Sequence, residues 1–210
     1  LALAGIVAAI SRQPVEAIKT KEDSEETQPK LILGFLLIAL LTGTASFIYE
    51  IGWIRMLSMV IGSTTHAFDI MLSAFILGIA IGGFAIRKRI DKLSNPIKSL
   101  AIIQLLMGAF AILTLLIYGG TLDFATITKD LLDRTATGFV WFNIYSYGVS
   151  ILIMLPATIC AGMTLPILTY YLLQKGHGEK AIGRIYSANT AGAILGILLS
   201  YHVLMPLLGL

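Results

Sequence analysis

The stretch LILGFLLIALLTGTASFIY, residues 31–49, contains no charged residue. A helix needs about 20 apolar residues to cross the roughly 30 Å hydrocarbon core of a bilayer. This run meets that requirement, and further runs of the same kind follow it. Working outward from it, membrane spans are expected at about 31–61, 66–86, 97–118, 139–173 and 185–206. The apolar residues 1–10 read as the end of a preceding transmembrane helix, and 11–30 as a hydrated linker. That linker carries Arg12, Lys19, Lys21 and Lys30 among acidic residues, with Pro14 and Pro29. A polar stretch at about 119–138 reads as a loop holding a short surface helix from Asp123 to Arg134, and 174–184 as another loop. The pattern opens on Leu1 rather than Met and stops at Leu210 in mid-run, so a longer protein is expected.

Composition points the same way. Hydrophobic residues make up 57% of the 210 positions, charged residues 13%, and mean hydropathy is +0.86. Soluble domains carry about 25% charged residues, so too little polar surface is present to coat a globule in water. With one cysteine, Cys160, and no low-complexity tract, disulfide-stapled and disordered chains are excluded as well. A net charge of +3, with the basic residues gathered between apolar runs, excludes nucleic acid as a partner and leaves the lipid bilayer. The expected fold class is all-α: a polytopic transmembrane bundle of five full spans plus the end of another.

The basic residues also orient it. Placing the 11–30 linker inside puts 87–98 and 174–184 inside too, and these segments hold 12 of the 15 Lys and Arg residues. Only Arg55, Lys129 and Arg134 fall outside. Anionic inner-leaflet lipid and the membrane potential resist moving cations outward. The expectation is a multi-pass protein of the cell membrane with those three segments cytoplasmic.

Because lipid tails are as apolar as leucine, membrane helices associate where small residues let backbones approach. The second span carries Ala74, Gly78 and Gly82 at four-residue spacing, with Gly83 alongside. The fifth carries Ala188, Gly192, Gly196 and Ser200 at the same spacing. Each set returns to one helix face and predicts a groove for a neighbour. Pro156 and Pro166 bracket Gly162 in the long fourth run and are expected to kink or break it.

Glu50, Arg55, Asp69 and Asn189 form the candidate intramembrane polar site. A charge at membrane depth costs several kcal/mol unless it snorkels, pairs or meets water. Glu50 and Arg55 lie five residues, about 140°, apart on an ideal helix, so each would seek partners on other helices, Asp69 being one for Arg55. Two readings stay open: structural pairing or interface placement, and a site that handles a cationic solute. Asn189 could hydrogen-bond between helices or join that site. Tyr49, Trp53, Trp141, Tyr145 and Tyr147 fit an interfacial aromatic belt.

No catalytic, cofactor-binding or metal-binding residue is expected. His66, His177 and His202 are far apart without Cys or carboxylate at ligand spacing. Cys160 sits in an apolar setting. A Walker A loop and a serine elbow are both missing.

The run TGTASFIYEIGWIRMLSMVIGSTTHAFDIMLSAFILGIAIGG, with its Tyr49, Glu50, Trp53 and Arg55 motif followed by Gly62, Gly78, Gly82 and Gly83, resembles the membrane region of spermidine synthase-like proteins. These are membrane-fused members of the spermine/spermidine synthase family. The segments LPATICAGMTLPIL and GRIYSANTAGAILGILLSYHVLMPLLGL are similar to the same family, so the resemblance spans about 42–210. It implies a bundle like half of a major facilitator superfamily transporter, joined in longer relatives to a Rossmann-like aminopropyltransferase domain. That domain would use decarboxylated S-adenosylmethionine and a diamine, and none of its motifs is in this segment. The function so implied is a non-catalytic membrane domain that anchors the protein and passes a polyamine or related solute. Its partners would be the remaining helices and the soluble domain of the same chain. The alternatives are a stand-alone transporter-like half of the major facilitator type and a purely structural anchor.

Overall fold

The structure, a computed structural model, describes residues 29–62, 64–131 and 136–208. The expected helix end at 1–10 and the linker up to residue 28 lie outside the described residues. The linker's last two residues, Pro29 and Lys30, already belong to the first helix. Among the described residues there are helices and connecting turns and no strand. Helix α1 is Pro29–Ile61, α2 Thr65–Arg87, α3 Pro96–Leu131, α4 Ala136–Gln174 and α5 Glu179–Leu199. A π-helical segment, Ser200–Leu204, continues α5 and passes into the short α6, Met205–Leu208. Five of these helices are long and apolar enough to cross a membrane. The chain is an all-α, multi-pass bundle.

Local chemistry sets the helix ends. Gly62 adopts φ +110° just after α1, a conformation that side-chain-bearing residues rarely take. Thr64 then caps α2, its hydroxyl accepting from the Ala67 amide at 3.1 Å. Asn95 caps α3 in the same way through Lys98 N–H at 3.1 Å, with Pro96 opening the helix where its missing donor costs nothing. The turn between α4 and α5 passes through Gly176 at φ +80°.

Two expectations about boundaries need correction. The polar stretch after Tyr118 is not a loop with its own helix, because α3 runs unbroken to Leu131. Its membrane-crossing part ends at Gly120; polar residues beyond that point leave the apolar stripe but do not stop a helix that lacks a Pro or a cap. Likewise α5 begins at Glu179, not near Ile185. An acidic first turn suits the helix dipole, and Ala181 and Ile185 are both buried, so packing starts earlier than the hydropathy suggests.

Helices alternate in direction across five spans, so odd-numbered helices run parallel to one another and so do even-numbered ones. Packing follows this rule. The most extensive contacts join α2 to α4 and α1 to α5, and α3 lies mainly on α4. Leu40 and Thr44 of α1 meet Gly192 and Gly196 of α5 in ascending order, the signature of a parallel pair. Gly78 meets Thr158, and Gly82 meets Ile159 and Gly162, ascending again. At Gly192 even one added carbon would overlap the Leu40 carbonyl, and at Gly162 the Ile79 carbonyl. Contact of backbone on backbone is what dispersion-driven association in lipid requires.

Two apolar clusters occupy opposite ends of the bundle. One holds Trp53, Leu57, Met71, Phe75, Ile153 and Met154, the other Phe35, Ile86, Leu100, Leu168, Leu172 and Ile185. The outside is apolar as well, with Leu116 and Leu207 each 77% exposed. A water-soluble protein of this size does not leave such rows of leucine uncovered.

Gly192→Leu is expected to destabilise the bundle by about 2–3 kcal/mol through forced separation of α1 and α5. Gly34→Ala, where an added carbon meets nothing within 4 Å, is expected to change little. Unfolding in mixed detergent and dodecyl sulfate micelles measures both, and equal losses would contradict the packing described.

Candidate intramembrane polar site

Between the two apolar ends lies a layer of polar side chains contributed by several helices. Gln104 of α3 donates to the Thr164 hydroxyl of α4 at 3.1 Å and to the Thr42 hydroxyl of α1 at 3.3 Å. Thr164 in turn donates to the Cys160 carbonyl at 3.2 Å. Thr44 shares its hydroxyl proton between the Leu40 carbonyl, 2.9 Å, and the Gly192 carbonyl of α5, 3.0 Å. Each group is satisfied by a neighbour, as an apolar surrounding demands.

Glu50 is different. It keeps only 6% of its surface exposed, yet its Oε2 has no hydrogen-bond partner among the described residues. It stands one turn beyond Phe47 and two turns beyond Gly43, the residues that touch Gly196 and Asn189 of α5. At the next level α5 becomes the π segment Ser200–Leu204, which contacts α1. A second orphan lies close in depth. The Ser150 hydroxyl of α4 is fully buried and also lacks a partner among the described residues. Tyr49 donates to the Ile153 carbonyl at 3.1 Å, which ties this level of α1 to that level of α4, one turn from Ser150.

The other expected site residues fall elsewhere. Arg55 and Asp69 are both exposed and form no ion pair with each other. The buried stripe of α2 runs through Ala67, Ile70, Met71 and Ala74, which leaves Asp69 off it. Asn189 sets its backbone carbonyl and amide oxygen against Gly43, so it sits in the α1–α5 contact. Gly78 and Gly82 belong to the α2–α4 contact, Gly192 and Gly196 to the α1–α5 contact. Helix α4 continues through both Pro156 and Pro166, so neither breaks it; neighbouring helices support the backbone that a proline leaves short of a bond. A backbone irregularity lies at Ser200–Leu204, just ahead of Pro206, and a proline inside a helix crowds the carbonyl four residues before it.

The aromatic belt also needs revision. Trp53 is 2% exposed and belongs to the core, stacked edge-on against Tyr49 and Tyr118 at 6.1 and 5.8 Å between ring centres. Trp141 and Tyr147 are exposed, as belt residues would be. Sequence reasoning missed Gln104, Thr42, Thr164 and Ser150. Gln104 is a single polar residue in an aliphatic run, and that interruption is the signal by which it could have been found; Thr42, Thr164 and Ser150 stand among other small or polar residues and have no such mark.

Among the described residues, no group of three His, Cys, Asp or Glu side chains could hold a metal ion. The five spans, their lipid-facing leucines and the buried polar layer define a multi-pass helical membrane protein. Comparison with family models, with curated proteins and with solved structures finds no match to this chain.

Chemically, Glu50 and Ser150 offer hydrogen-bonding capacity that no described residue fills. A contrast in stability is expected from this. Gln104→Leu should cost about 1 kcal/mol, the scale of interhelical hydrogen bonds in membranes. Glu50→Gln should cost nothing or stabilise, since no hydrogen bond joins the carboxyl Oε2 to any described residue. Micelle unfolding checks the pair; a larger loss for Glu50→Gln would make Glu50 a structural residue.

Proposed function

We propose that this chain is the non-catalytic membrane domain of a spermidine synthase-like protein, which anchors that protein in the cell membrane and passes a polyamine or related organic cation. The observation that carries this reading is the buried Glu50, whose carboxyl Oε2 has no hydrogen-bond partner among the described residues. An alkylammonium group brings both things that such a carboxyl lacks, N–H donors and a compensating positive charge. The hydroxyl of Ser150 supplies a further polar contact in the same layer.

The family part of the reading rests on the sequence motif of Tyr49, Glu50, Trp53 and Arg55 and on the glycine-rich runs that follow it. These residues have separable jobs. Tyr49 and Trp53 hold α1 against α3 and α4, whereas Glu50 Oε2 has no partner among the described residues. In such a protein decarboxylated S-adenosylmethionine belongs to the soluble aminopropyltransferase domain, and no residue of this segment is assigned to it. Residues 11–30, 87–98 and 174–184 face the cytoplasm in this reading, in keeping with their share of the basic residues.

Reconstituted in proteoliposomes, the wild-type protein is expected to support uptake of radiolabelled spermidine. Glu50→Gln should lower that uptake by about 10–100-fold, the equivalent of one hydrogen bond to a charged group. Unchanged uptake would remove Glu50 from the path. For sidedness, single cysteines at Ser94 and Thr64, both exposed positions, are introduced with Cys160 replaced by Ser. In intact cells the impermeant maleimide should label the Thr64→Cys protein and spare the Ser94→Cys protein; the reverse pattern would invert the orientation.

A further inference from the structure

Helices α1, α3 and α4 leave a cavity of about 150 Å³ between them, closed on the α2 side by Phe75. It exists because the side chains facing it are short. Ala45 and Ser46 on α1, Gly108 and Ala111 on α3, and Ala157 and Ala161 on α4 leave the space that larger residues would fill. Its wall is almost wholly apolar, and its larger hydroxyl-bearing residues are already engaged: Tyr49 with the Ile153 carbonyl at 3.1 Å, Thr158 with the Met154 carbonyl at 2.8 Å. A water molecule needs two to four polar partners, so such a hollow stays dry; apolar cavities of this size take up benzene-sized molecules instead.

Depth and access narrow the occupant. Ala45 lies near the midpoint of the Ile32–Ile61 span, Gly108 at that of Pro96–Gly120 and Ala157 at that of Val140–Gln174. The cavity is therefore at the centre of the bilayer. Ala45 and Gly108 are both exposed, so its mouth opens between α1 and α3 to the surrounding hydrocarbon. The middle of a bilayer is where lipid chains end. We propose that this cavity seats the terminal carbons of a lipid acyl chain. The seat is separate from Glu50, which does not line it, and it stands or falls independently of cation passage.

The test uses the protein in phosphatidylcholine vesicles containing a lipid with a diazirine on the last carbon of one acyl chain. After photolysis, mass spectrometry of peptides reads where the lipid attached. Attachment at Met107–Ala111 and at 157–161 is expected to exceed that at the lipid-facing Leu116 by at least about fourfold, roughly what burying one methylene contributes. Gly108→Leu and Ala45→Leu fill the mouth from opposite sides, and Gly108 has room for the added carbon. Either variant should abolish the excess while leaving attachment at Leu116 unchanged. A lipid carrying the diazirine beside its headgroup should show no excess. Equal attachment at the cavity and at Leu116 in the wild-type protein would overturn the proposal whatever the variants do. So would an excess that survives both fillings, or an excess with the headgroup probe.

Discussion

Two pairs of parallel helices held backbone to backbone set the conditions for everything else in this bundle. In water, burying leucine would bring helices together; in lipid it does not, since a leucine on a neighbour is no better surrounding than an acyl chain. What remains is the dispersion gained when two helices come close over a long stretch, and only residues with nothing beyond Cα allow that. Gly192 against Leu40 and Gly162 against Ile79 are the places where the distance is set by main-chain atoms. Because both pairs are parallel, each is formed by helices that are not neighbours in sequence. The chain is thereby tied across its whole length.

Against that framework the polar layer divides into groups that hold the fold and groups that do not. Gln104 bridges three helices through two threonines, and Thr44 links α1 to α5 through a carbonyl. Remove either and bonds are lost without replacement by water. Glu50, about 12 Å along α1 from Thr42, and Ser150 have atoms with no hydrogen-bond partner among the described residues and so nothing comparable to lose. A buried acidic group that the fold does not use is a cost, and costs retained in a protein interior commonly belong to function rather than to stability. The contrast between Gln104 and Glu50 is thus more informative than the presence of either alone.

The five spans and the small-residue faces of α2 and α5 were legible because hydropathy and four-residue spacing reflect the medium and the helix period directly. Other features depend on a partner that sequence does not display. Gly43 packs on Asn189 more closely than Gly196 of the repeats packs on Thr44, but it stands alone in Thr42-Gly43-Thr44 with no spacing to mark it. Trp53 looked interfacial from its place near the end of a span; a pocket between Tyr49 and Tyr118 encloses it instead. Arg55 and Asp69 seemed a natural pair by charge, and the faces on which they stand keep them outside the core. Pro156 and Pro166 suggested a kink or break, and α4 runs on through both, while a π-helical irregularity lies at Ser200–Leu204, ahead of Pro206. Residue type reveals that a backbone bond is missing, and only the surrounding helices determine where the distortion goes.

The pairing of α1 with α5 has a consequence for biosynthesis. The hydroxyl of Thr44 bonds a carbonyl 148 residues later in the chain. Ribosomes add about 5–20 residues each second, so α1 waits roughly 7–30 s for the surface it is built to meet. During that interval the face of Leu40, Gly43 and Thr44 that meets α5 and the carboxyl of Glu50 must be sheltered by the insertion machinery or by a temporary helix contact. Quality control in the membrane therefore has a long window in which to recognise this first helix, and a chain stalled before α5 would present it as a degradation signal.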